Sequence, residues 1–270
     1  MPKIFFIINP KAGTGRKDIV ETAIDTYLDR TRHEATIQYT THAGHAAEMA
    51  REMAGKTDII VAVGGDGTVN EVARSLVYTP TALGIIPAGS GNGLARHLRI
   101  PMDPAEAMKL INEACIDKLD YGRINGEAFF CTCGVGFDAF ISMKFAEAGK
   151  RGLSTYIEKT LQDGLSYRPE VYHIELDGEN ETHEAFLIAC ANASQYGNNA
   201  YIAPNASTRD GLLDVTILTP FSPLEAPQIV LQLFNRQLTK NSHVKIFRTR
   251  PLRITREKPG PAHIDGDPVN

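Results

Sequence analysis

The stretch that decides the fold is "VAVGGDGTVNEV", Val61 to Val72, which passes from an apolar segment through three glycines and an aspartate into a helical pattern. The preceding run "IIVAV" does not alternate between apolar and polar residues, as expected of a parallel strand buried on both faces. Gly64, Gly65 and Gly67 allow unusual backbone angles and let a ligand approach the main-chain amides. The stretch therefore predicts a buried strand, a tight turn and a helix.

The start of this helix is a candidate anion site. Thr68 and Glu71 have the spacing of a capping box, which predicts Thr68 as the N-cap. Unpaired amides and the helix dipole favour a phosphate there, although a strand-to-helix turn with no ligand would show the same glycines. Asp66 favours the functional interpretation, because a carboxylate beside a phosphate is repulsive unless it serves a metal ion or a proton transfer.

Two further glycine-rich loops follow other predicted strands. The runs "KIFFIIN", "ATIQYTT", "DIIVAVG" and "TALGIIP" alternate with helical patterns and predict a doubly wound, Rossmann-like α/β domain. "NPKAGTG" follows the first run and "PAGSGNGLARHL" the fourth, so three loops can surround one polyphosphate at the carboxyl edge of the sheet. Neither a P-loop nor a dinucleotide GxGxxG occurs in the right context, which disfavours common NTPases and dehydrogenases.

The pattern changes in the second part of the chain. Asn125-Gly126 between two apolar segments is a strong two-residue hairpin signal and predicts mainly antiparallel sheet. A helical stretch from about residue 138 to 167 interrupts the predicted strands. We place the boundary between a nucleotide-binding domain, residues 1–119, and a second domain, residues 120–270, near residue 119.

Composition narrows the class of protein. The 270 residues include 28 Lys and Arg and 32 Asp and Glu, so the chain has no excess of positive charge of the kind that nucleic-acid binding requires. The start reads as a first buried strand and not as a signal peptide, and no run approaches the roughly 20 apolar residues of a spanning helix. Four cysteines without a CxxC pair indicate reduced thiols and a cytoplasmic protein.

Six segments together resemble the diacylglycerol kinase catalytic-domain superfamily, which includes bacterial lipid kinases and sphingosine kinases. They are Asn9-Pro10 with Gly13 and Gly15, "GGDGTVNEV", "PAGSGNGLARHL", "NGEAFFCTCGVGFDA", "DGLLDVTIL" and "HIDGDP". The resemblance implies a nucleotide-binding α/β domain followed by a β-sandwich, and transfer of the γ-phosphate of ATP, with Mg²⁺, to a lipid hydroxyl. The acceptor would be diacylglycerol or a sphingoid base, and the second glycine loop looks closer to the sphingosine-kinase form.

The resemblance implies a set of nucleotide-binding positions in the first domain. Thr41 could equally be a strand-end residue before the next helix, and Asn92 could be just a helix N-cap. The full set of expected positions is Asn9, Thr41, Gly64, Gly65, Gly67, Thr68, Asn70, Gly89, Ser90 and Asn92.

The resemblance also implies roles for several aspartates. Asp265 in "HIDGDP" matches the general base that accepts the proton of the lipid hydroxyl, although Asp-Gly is also a common turn. Asp66 is a rival for the base and is expected near the metal ion. Asp120 matches an aspartate linked to the metal through water, or it is an ordinary polar residue at a strand entry. Position 267 is aspartate where many relatives have glutamate.

A second pair of acids matches a different feature of the family. Asp210 and Asp214 in "RDGLLDV" fall in a region that binds a structural metal in some members, and here a turn is the favoured interpretation.

The predicted helical stretch Phe140 to Tyr167 could line a lipid groove or belong to the core. Its basic residues predict reversible contact with a membrane surface, or they are simply solvated. The apolar and basic residues in question are Met143, Phe145, Leu153, Tyr156, Ile157 and Leu161, and Lys144, Lys150, Arg151 and Lys159.

Two alternative functions stay open. NAD kinase shares the GGDGT turn, but "PAGSGN" and the terminal "DGDP" argue against it. The other alternative is a nucleotide-binding regulatory protein without transfer activity. A homodimer through an edge strand of the second domain is possible, since unpaired edges can pair.

Overall fold

The computed structural model describes residues 1–13, 17–148, 167–176 and 178–269. The chain divides into two compact units, residues 1–118 and 119–270, one residue before the expected boundary. The first unit is an α/β domain with a parallel sheet, and the second is an antiparallel β-sandwich domain. This confirms the predicted fold class.

The first unit is built on a four-stranded parallel sheet. The strands are β1 (Lys3–Ile8), β2 (Glu34–Tyr39), β3 (Ile59–Gly64) and β4 (Ala82–Pro87). They pair in the order β2-β1-β3-β4, and every pairing is parallel. The order therefore reverses between β1 and β3, and ligands of doubly wound folds bind outside the carboxyl ends of the strands at such a point.

Helices on both faces explain why the central strands read as continuous apolar runs. They are α1 (Lys17–Tyr27), α2 (His45–Met53), α3 (Asp66–Leu76), α4 (Gly93–His97) and α5 (Pro104–Glu113). Helix α1 packs against α5, and α2 packs against α3. Along β1, Ile4 and Phe6 join a core with α1 and α5, while Phe5 and Ile7 on the opposite face are also fully buried.

Helix α3 begins two residues before the predicted N-cap. It starts at Asp66, with Gly65 in the N-cap position and no side-chain capping bond, so the prediction of Thr68 as N-cap is wrong. The Thr68 hydroxyl accepts a hydrogen bond from the side-chain amide of Asn9 at 3.0 Å instead. A partner on another loop thus replaces the local cap.

Glu71 is not part of a capping box either. Its carboxylate accepts the backbone amides of Gly44 at 3.0 Å and Ala46 at 3.1 Å. These amides lie at the start of α2, where the helix dipole favours a negative charge. Glu71 therefore fastens α3 to the beginning of α2.

The second unit contains two packed sheets and a short hairpin. The six-stranded sheet has the order β12-β11-β10-β7-β14-β15, the three-stranded sheet has the order β13-β8-β9, and β5 pairs with β6. Every pairing is antiparallel. The strands are β5 (Gly122–Ile124), β6 (Glu127–Phe129), β7 (Thr132–Gly136), β8 (Glu170–Leu176), β9 (Glu179–Ala185), β10 (Leu187–Ala191), β11 (Leu213–Leu218), β12 (Val244–Thr249), β13 (Arg253–Thr255), β14 (Ala262–Ile264) and β15 (Asp267–Val269).

The larger sheet is covered on both faces. Tyr172 and Ile174 of β8 pack with Ile188 and Val215 in one core, which joins the two sheets as a sandwich. A second core joins the sheet to α6 (Phe137–Ala148) and α7 (Ala226–Phe234) through residues such as Ile141. Two short 3-10 turns, Pro223–Glu225 and Leu238–Lys240, flank α7.

The predicted hairpin at Asn125-Gly126 is confirmed. These residues join β5 to β6 with φ angles of 49° and 93°, as the turn type requires. Asp265 and Gly266 join β14 to β15 in the same way, with φ angles of 51° and 88°.

Candidate active site

Two of the glycine-rich loops of the first unit touch through their backbones. A Cβ atom added at Gly89 would lie 2.3 Å from the Cα of Gly65, and one added at Gly65 would lie 3.1 Å from the Cα of Gly89. Gly64 is equally confined, because its Cβ would lie 2.6 Å from the Cβ of Thr68. These glycines are therefore required by the close approach of two loops and of a strand end to α3.

The first loop joins them through Asn9. Asn9 follows β1, and its side-chain amide donates to the Thr68 hydroxyl at 3.0 Å while its Oδ1 accepts the Lys11 amide at 3.0 Å. The loops after β1, β3 and β4 thus converge at the carboxyl edge of the sheet.

Asp66 ties the loop after β3 to the loop after β4. Its Oδ2 accepts the Asn92 amide at 2.8 Å and its Oδ1 accepts the Gly93 amide at 2.6 Å. Burial raises the pKa of this carboxyl group, while the two amides and the charge of Arg96 oppose that rise. Asp66 therefore has a structural role, and its expected roles at the metal ion or as a base stay predictions.

Asn92 closes the loop after β4 on itself. It occupies the N-cap position of α4 with φ 52° and ψ 47°, but its side chain makes no capping bond. Its Oδ1 accepts the Gly89 amide at 3.0 Å, and its Nδ2 donates to the Gly89 carbonyl at 2.8 Å. The buried side chain therefore shapes the loop rather than the helix.

Amide groups at the start of α3 stay available to a ligand. The first helical bond runs from the Val69 amide to the Gly65 carbonyl at 3.1 Å, so the amides of Gly67 and Thr68 have no intrahelical acceptor. Among the described residues, a Cβ at Gly67 would meet nothing within 4 Å. The buried Oδ1 of Asn70, one turn into the helix, has no hydrogen-bond partner in the same part of the chain. The two amides and the open space at Gly67 fit a phosphate group.

Ser90 and Thr41 lie at the rim of the same sheet edge. Ser90 is exposed in the loop after β4. Thr41 follows β2, and its amide donates to Nδ1 of His45 at 3.1 Å while its hydroxyl lies 2.9 Å from Nδ1 of His42. Their expected contact with a nucleotide stays a prediction.

The Asp265 carboxylate in the second unit binds the segment that leads into β7. Its Oδ1 accepts the amides of Cys131 at 2.7 Å and Thr132 at 3.0 Å, and its Oδ2 accepts the amide of Phe130 at 2.9 Å. Its own amide donates to the Thr132 carbonyl at 2.7 Å. Asp265 therefore lies in a turn, as one interpretation predicted, and its expected role as a general base stays a prediction.

A buried polar network lies beside this turn. His263 of β14 approaches Asp138 of α6, with 3.0 Å between Nε2 and Oδ2, and Tyr196 donates its hydroxyl to the same Oδ2 at 2.8 Å. His263 and Asp138 are 1% and 6% exposed. The Gly266 amide donates to Nδ1 of His263 at 3.4 Å.

Asp120 belongs to the second unit and contacts the "RDGLLD" segment. Its Oδ2 accepts the Gly211 amide at 2.6 Å, and its amide donates to the Thr208 carbonyl at 2.7 Å. Asn192 donates to the Asp120 carbonyl at 3.0 Å. Asp120 therefore shapes a turn, and its expected contact with a metal ion through water stays a prediction.

The Asp210 and Asp214 pair has a protein cation as its partner. Nε of Arg248 lies 3.2 Å from Oδ1 of Asp214, and an Arg248 nitrogen lies 4.0 Å from Oδ2 of Asp210. Burial raises the pKa of Asp214, and Arg248 opposes the rise. Only Asp210 lies in the turn predicted for both residues, since Asp214 lies within β11.

The residues present fit a magnesium ion that arrives with a nucleotide better than an ion in a protein cage. Among the described residues, no three His, Cys, Asp or Glu side chains cluster so as to hold a metal. Asp66 and Asp120 each accept backbone amides already. Mg²⁺ commonly keeps several waters and binds substrate phosphates together with one or two carboxylates.

Some expected residues lie outside the described part of the chain. They are Gly15, Lys150, Arg151, Leu153, Tyr156, Ile157, Lys159 and Leu161, and the side chain of Phe145 is also undescribed. The described parts of this stretch are α6, which contains Met143 and Lys144, and Tyr167, whose ring packs against those of Phe137 and Phe186. None of the helices in the described ranges has the length and apolarity needed to cross a bilayer.

Sequence reasoning missed several contacts made by residues within the quoted motifs. Arg96, Asp138 and His263 had no assigned partner, and Glu71 was assigned to the wrong one, yet each contacts a distant segment or a glycine-rich loop. The only local signal was their position inside those motifs. The sequence around Arg248 gave no signal for its partners.

Two family descriptions match successive parts of the chain. Residues 3–124 match the family described as diacylglycerol kinase catalytic domain. Residues 132–270 match the family described as YegS C-terminal NAD kinase beta sandwich-like domain.

Individual proteins are similar along nearly the whole chain. An uncharacterized protein of Synechocystis sp. is 31% identical over 97% of this chain, which spans 64% of that longer protein. A diacylglycerol kinase of Mycobacterium tuberculosis (strain CDC 1551 / Oshkosh) is 30% identical over 98% of this chain and 88% of that protein. A crystal structure of a diacylglycerol kinase from Bacillus anthracis str. Sterne aligns with a TM-score of 0.76 at 25% identity, covering 97% of this chain and 89% of the other.

Proposed function

The chain belongs to the diacylglycerol kinase catalytic-domain family, and we propose that it transfers the γ-phosphate of ATP to the hydroxyl group of a lipid. The observation that carries this proposal is the convergence of three loops around amides without intrahelical acceptors at the start of α3. The acceptor is diacylglycerol or a sphingoid base, two lipids that share a hydroxyl group beside long apolar chains.

The first unit binds the triphosphate. The amides of Gly67 and Thr68 donate to phosphate oxygens, and the dipole of α3 adds a favourable potential. Asp66 and Asn92 fix the shape of the loops, so the amides are in place before the nucleotide arrives. Pre-organisation of this kind is most of what a protein contributes to phosphoryl transfer, because charge spreads over the transferred group.

Magnesium, when bound with the nucleotide, neutralises charge on the phosphates. Asp66 is the carboxylate expected near the ion, and Asp120 is expected to contact it through water.

Asp265 accepts the proton of the attacking hydroxyl. Its carboxylate is immobilised by the amides of Phe130, Cys131 and Thr132. A fixed acceptor at hydrogen-bond distance from the hydroxyl is the geometric requirement for general-base catalysis. Since the lipid resides in a bilayer, we also propose that the protein contacts the membrane surface reversibly during turnover.

The test is a transfer assay with purified full-length protein. The protein is titrated with ATP and magnesium and then incubated with γ-labelled ATP and vesicles containing diacylglycerol, a sphingoid base or neither, with NAD as a separate acceptor. We expect labelled lipid and no labelled NAD. Labelled NAD would support the NAD kinase alternative, and nucleotide binding without transfer to any acceptor would support a regulatory protein.

The role of Asp265 is tested by Asp265→Asn in the same assay. We expect the rate of transfer to fall at least about 100-fold, within the usual range for loss of a general base, while the affinity for ATP stays unchanged. A variant with full turnover removes Asp265 from the mechanism.

A further inference from the structure

The turn that presents Asp265 rests on a buried histidine. His263 lies two residues before Asp265 on β14 and is 1% exposed. Pairing of His263 with Gly134 and of Ile264 with Cys133 fixes the strand itself. The tip of the turn lies beyond this pairing, and there the Gly266 amide donates to Nδ1 of His263 at 3.4 Å.

The hydrogen bonds define the tautomer of His263. Nδ1 accepts the Gly266 amide, so Nδ1 carries no proton in this arrangement. Nε2 then carries the proton and donates it to Oδ2 of Asp138 at 3.0 Å. The ring is thus oriented from both sides, in the way that a hydrogen bond to one ring nitrogen sets the role of the other.

The partner of the histidine is itself fixed. Oδ1 of Asp138 accepts the Ala139 amide at 2.8 Å, and Oδ2 accepts the Tyr196 hydroxyl at 2.8 Å. A Cβ added at Gly134 would lie 2.9 Å from Oδ2 of Asp138 and 3.0 Å from Nε2 of His263. The glycine of the adjacent strand therefore leaves the space in which the pair meets.

We propose that His263, oriented by Asp138, is a positioning residue for the proposed general base Asp265. The imidazole fixes the Gly266 amide, and with it the left-handed turn that directs the Asp265 carboxylate onto the amides of residues 130–132. This inference rests on the proposed function, because Asp265 has a catalytic role only if the protein transfers phosphate. Small displacements of a catalytic group lower the reaction rate strongly, since a misplacement of about 1 Å can reduce a rate about 100-fold.

Three substitutions of His263 distinguish the roles of its two ring nitrogens. His263→Asn places an amide oxygen near the position of Nδ1 and can still accept from Gly266. His263→Gln places an amide nitrogen near the position of Nε2 and can still donate to Asp138. His263→Leu removes both contacts. We expect kcat to fall about tenfold or more in His263→Leu and His263→Gln, and His263→Asn to recover part of the loss, with the KM for ATP unchanged in all three.

His183 provides the matched control. It is a buried histidine, 9% exposed, in the other sheet of the same unit, and its Nε2 lies 2.7 Å from the Glu181 carboxylate. His183→Leu and His183→Gln should lower the melting temperature to an extent comparable with the His263 variants but leave kcat unchanged. An equal loss of kcat in both series would show a general effect of destabilisation and would overturn the positioning role.

A readout independent of activity completes the test. In the wild-type protein, nitrogen-15 NMR of the imidazole should show a protonated Nε2 and an unprotonated Nδ1. In His263→Leu, hydrogen exchange at Gly266 and at residues 130–132 should accelerate, whereas His183→Leu should leave these amides protected. The opposite tautomer, unchanged exchange, or wild-type kcat in folded His263→Leu would each overturn the inference. If no lipid is phosphorylated by the wild-type protein, the proposed function fails, and the exchange data alone then decide whether His263 fixes the turn.

Discussion

Gly89 lies so close to Gly65 that an added Cβ would come within 2.3 Å of the Gly65 Cα atom. This contact joins the loops after β3 and β4, which lie 24 residues apart in the chain and are tied again by the amides that Asp66 accepts. The close approach of the two loops therefore requires glycine at both of these positions. Substitutions at other glycines of the two motifs are expected to have different effects.

Gly89→Ala should separate the loops. Because the obstructing atom is backbone, the loops must shift, and we expect a lower melting temperature and an affinity for ATP at least about tenfold weaker. Gly67→Ala is the contrasting variant, since its Cβ meets nothing within 4 Å and alanine favours a helix by about 1 kcal/mol. It should fold normally, and reduced ATP affinity in this stable variant would indicate phosphate close to the Gly67 backbone. Normal ATP affinity in Gly89→Ala would contradict the proposed role of the loop contact.

Asp66→Asn should weaken nucleotide binding even without magnesium. An asparagine has only one oxygen for the two amides of Asn92 and Gly93, and an unsatisfied buried amide reduces stability by about 1–3 kcal/mol. The affinity for ATP is measured by calorimetry with and without magnesium. Glu71→Gln is the control, because Glu71 also accepts two backbone amides on the same helix but at the start of α2. A loss confined to the magnesium-containing titration would assign Asp66 to the metal and not to the loop.

His97 should make stability depend on pH below neutrality. Burial, helped by the charge of Arg99, lowers the pKa of His97 from its ordinary value of 6.5. The unfolded chain therefore binds a proton first as pH falls, and the native state loses stability as pH falls from 6.5 through the folded-state pKa. Melting temperatures between pH 7.5 and 5 should fall less steeply in His97→Gln than in the wild-type protein. His173→Gln, at an exposed position, should keep the wild-type slope, and an identical slope in His97→Gln would refute the assignment.

Arg248→Met should destabilise the second unit. It leaves the buried carboxylate of Asp214 without its cation, and we expect a loss of about 1–3 kcal/mol in urea unfolding. The double variant Arg248→Met with Asp214→Asn should recover part of this loss. Arg253→Met is the control, since Arg253 and Glu175 form an exposed pair at 3.9 Å whose contribution is at most about 1 kcal/mol. Equal effects of both arginine substitutions would exclude a special role for Arg248.

The architecture was predictable because its signals are local. The uninterrupted apolar runs identified the parallel strands, and Asn125-Gly126 identified the hairpin through its positive φ angles. Both signals depend on neighbouring residues of the same strand or turn.

The site was predictable only as a set of segments. Thr68 was expected to cap its own helix, but its partner is Asn9, 59 residues away, and the partners of Glu71 lie at least 25 residues away. Local spacing cannot distinguish a carboxylate that caps its own helix from one that fastens a neighbouring helix. Local spacing also could not predict the hydrogen bond between His263 and Asp138, because these residues are 125 positions apart in the chain.

The grip of Asp66 on main-chain amides has an evolutionary consequence. Every residue except proline offers the same N–H group, so the bond from Gly93 depends on the course of the backbone and not on a side chain. Position 66 does depend on its side chain, because a longer or neutral one loses one or both bonds. Descendants of this sequence should therefore diverge around an invariant aspartate. A loss of activity on replacing this aspartate would reflect a change in the shape of the loops as much as the loss of a catalytic group.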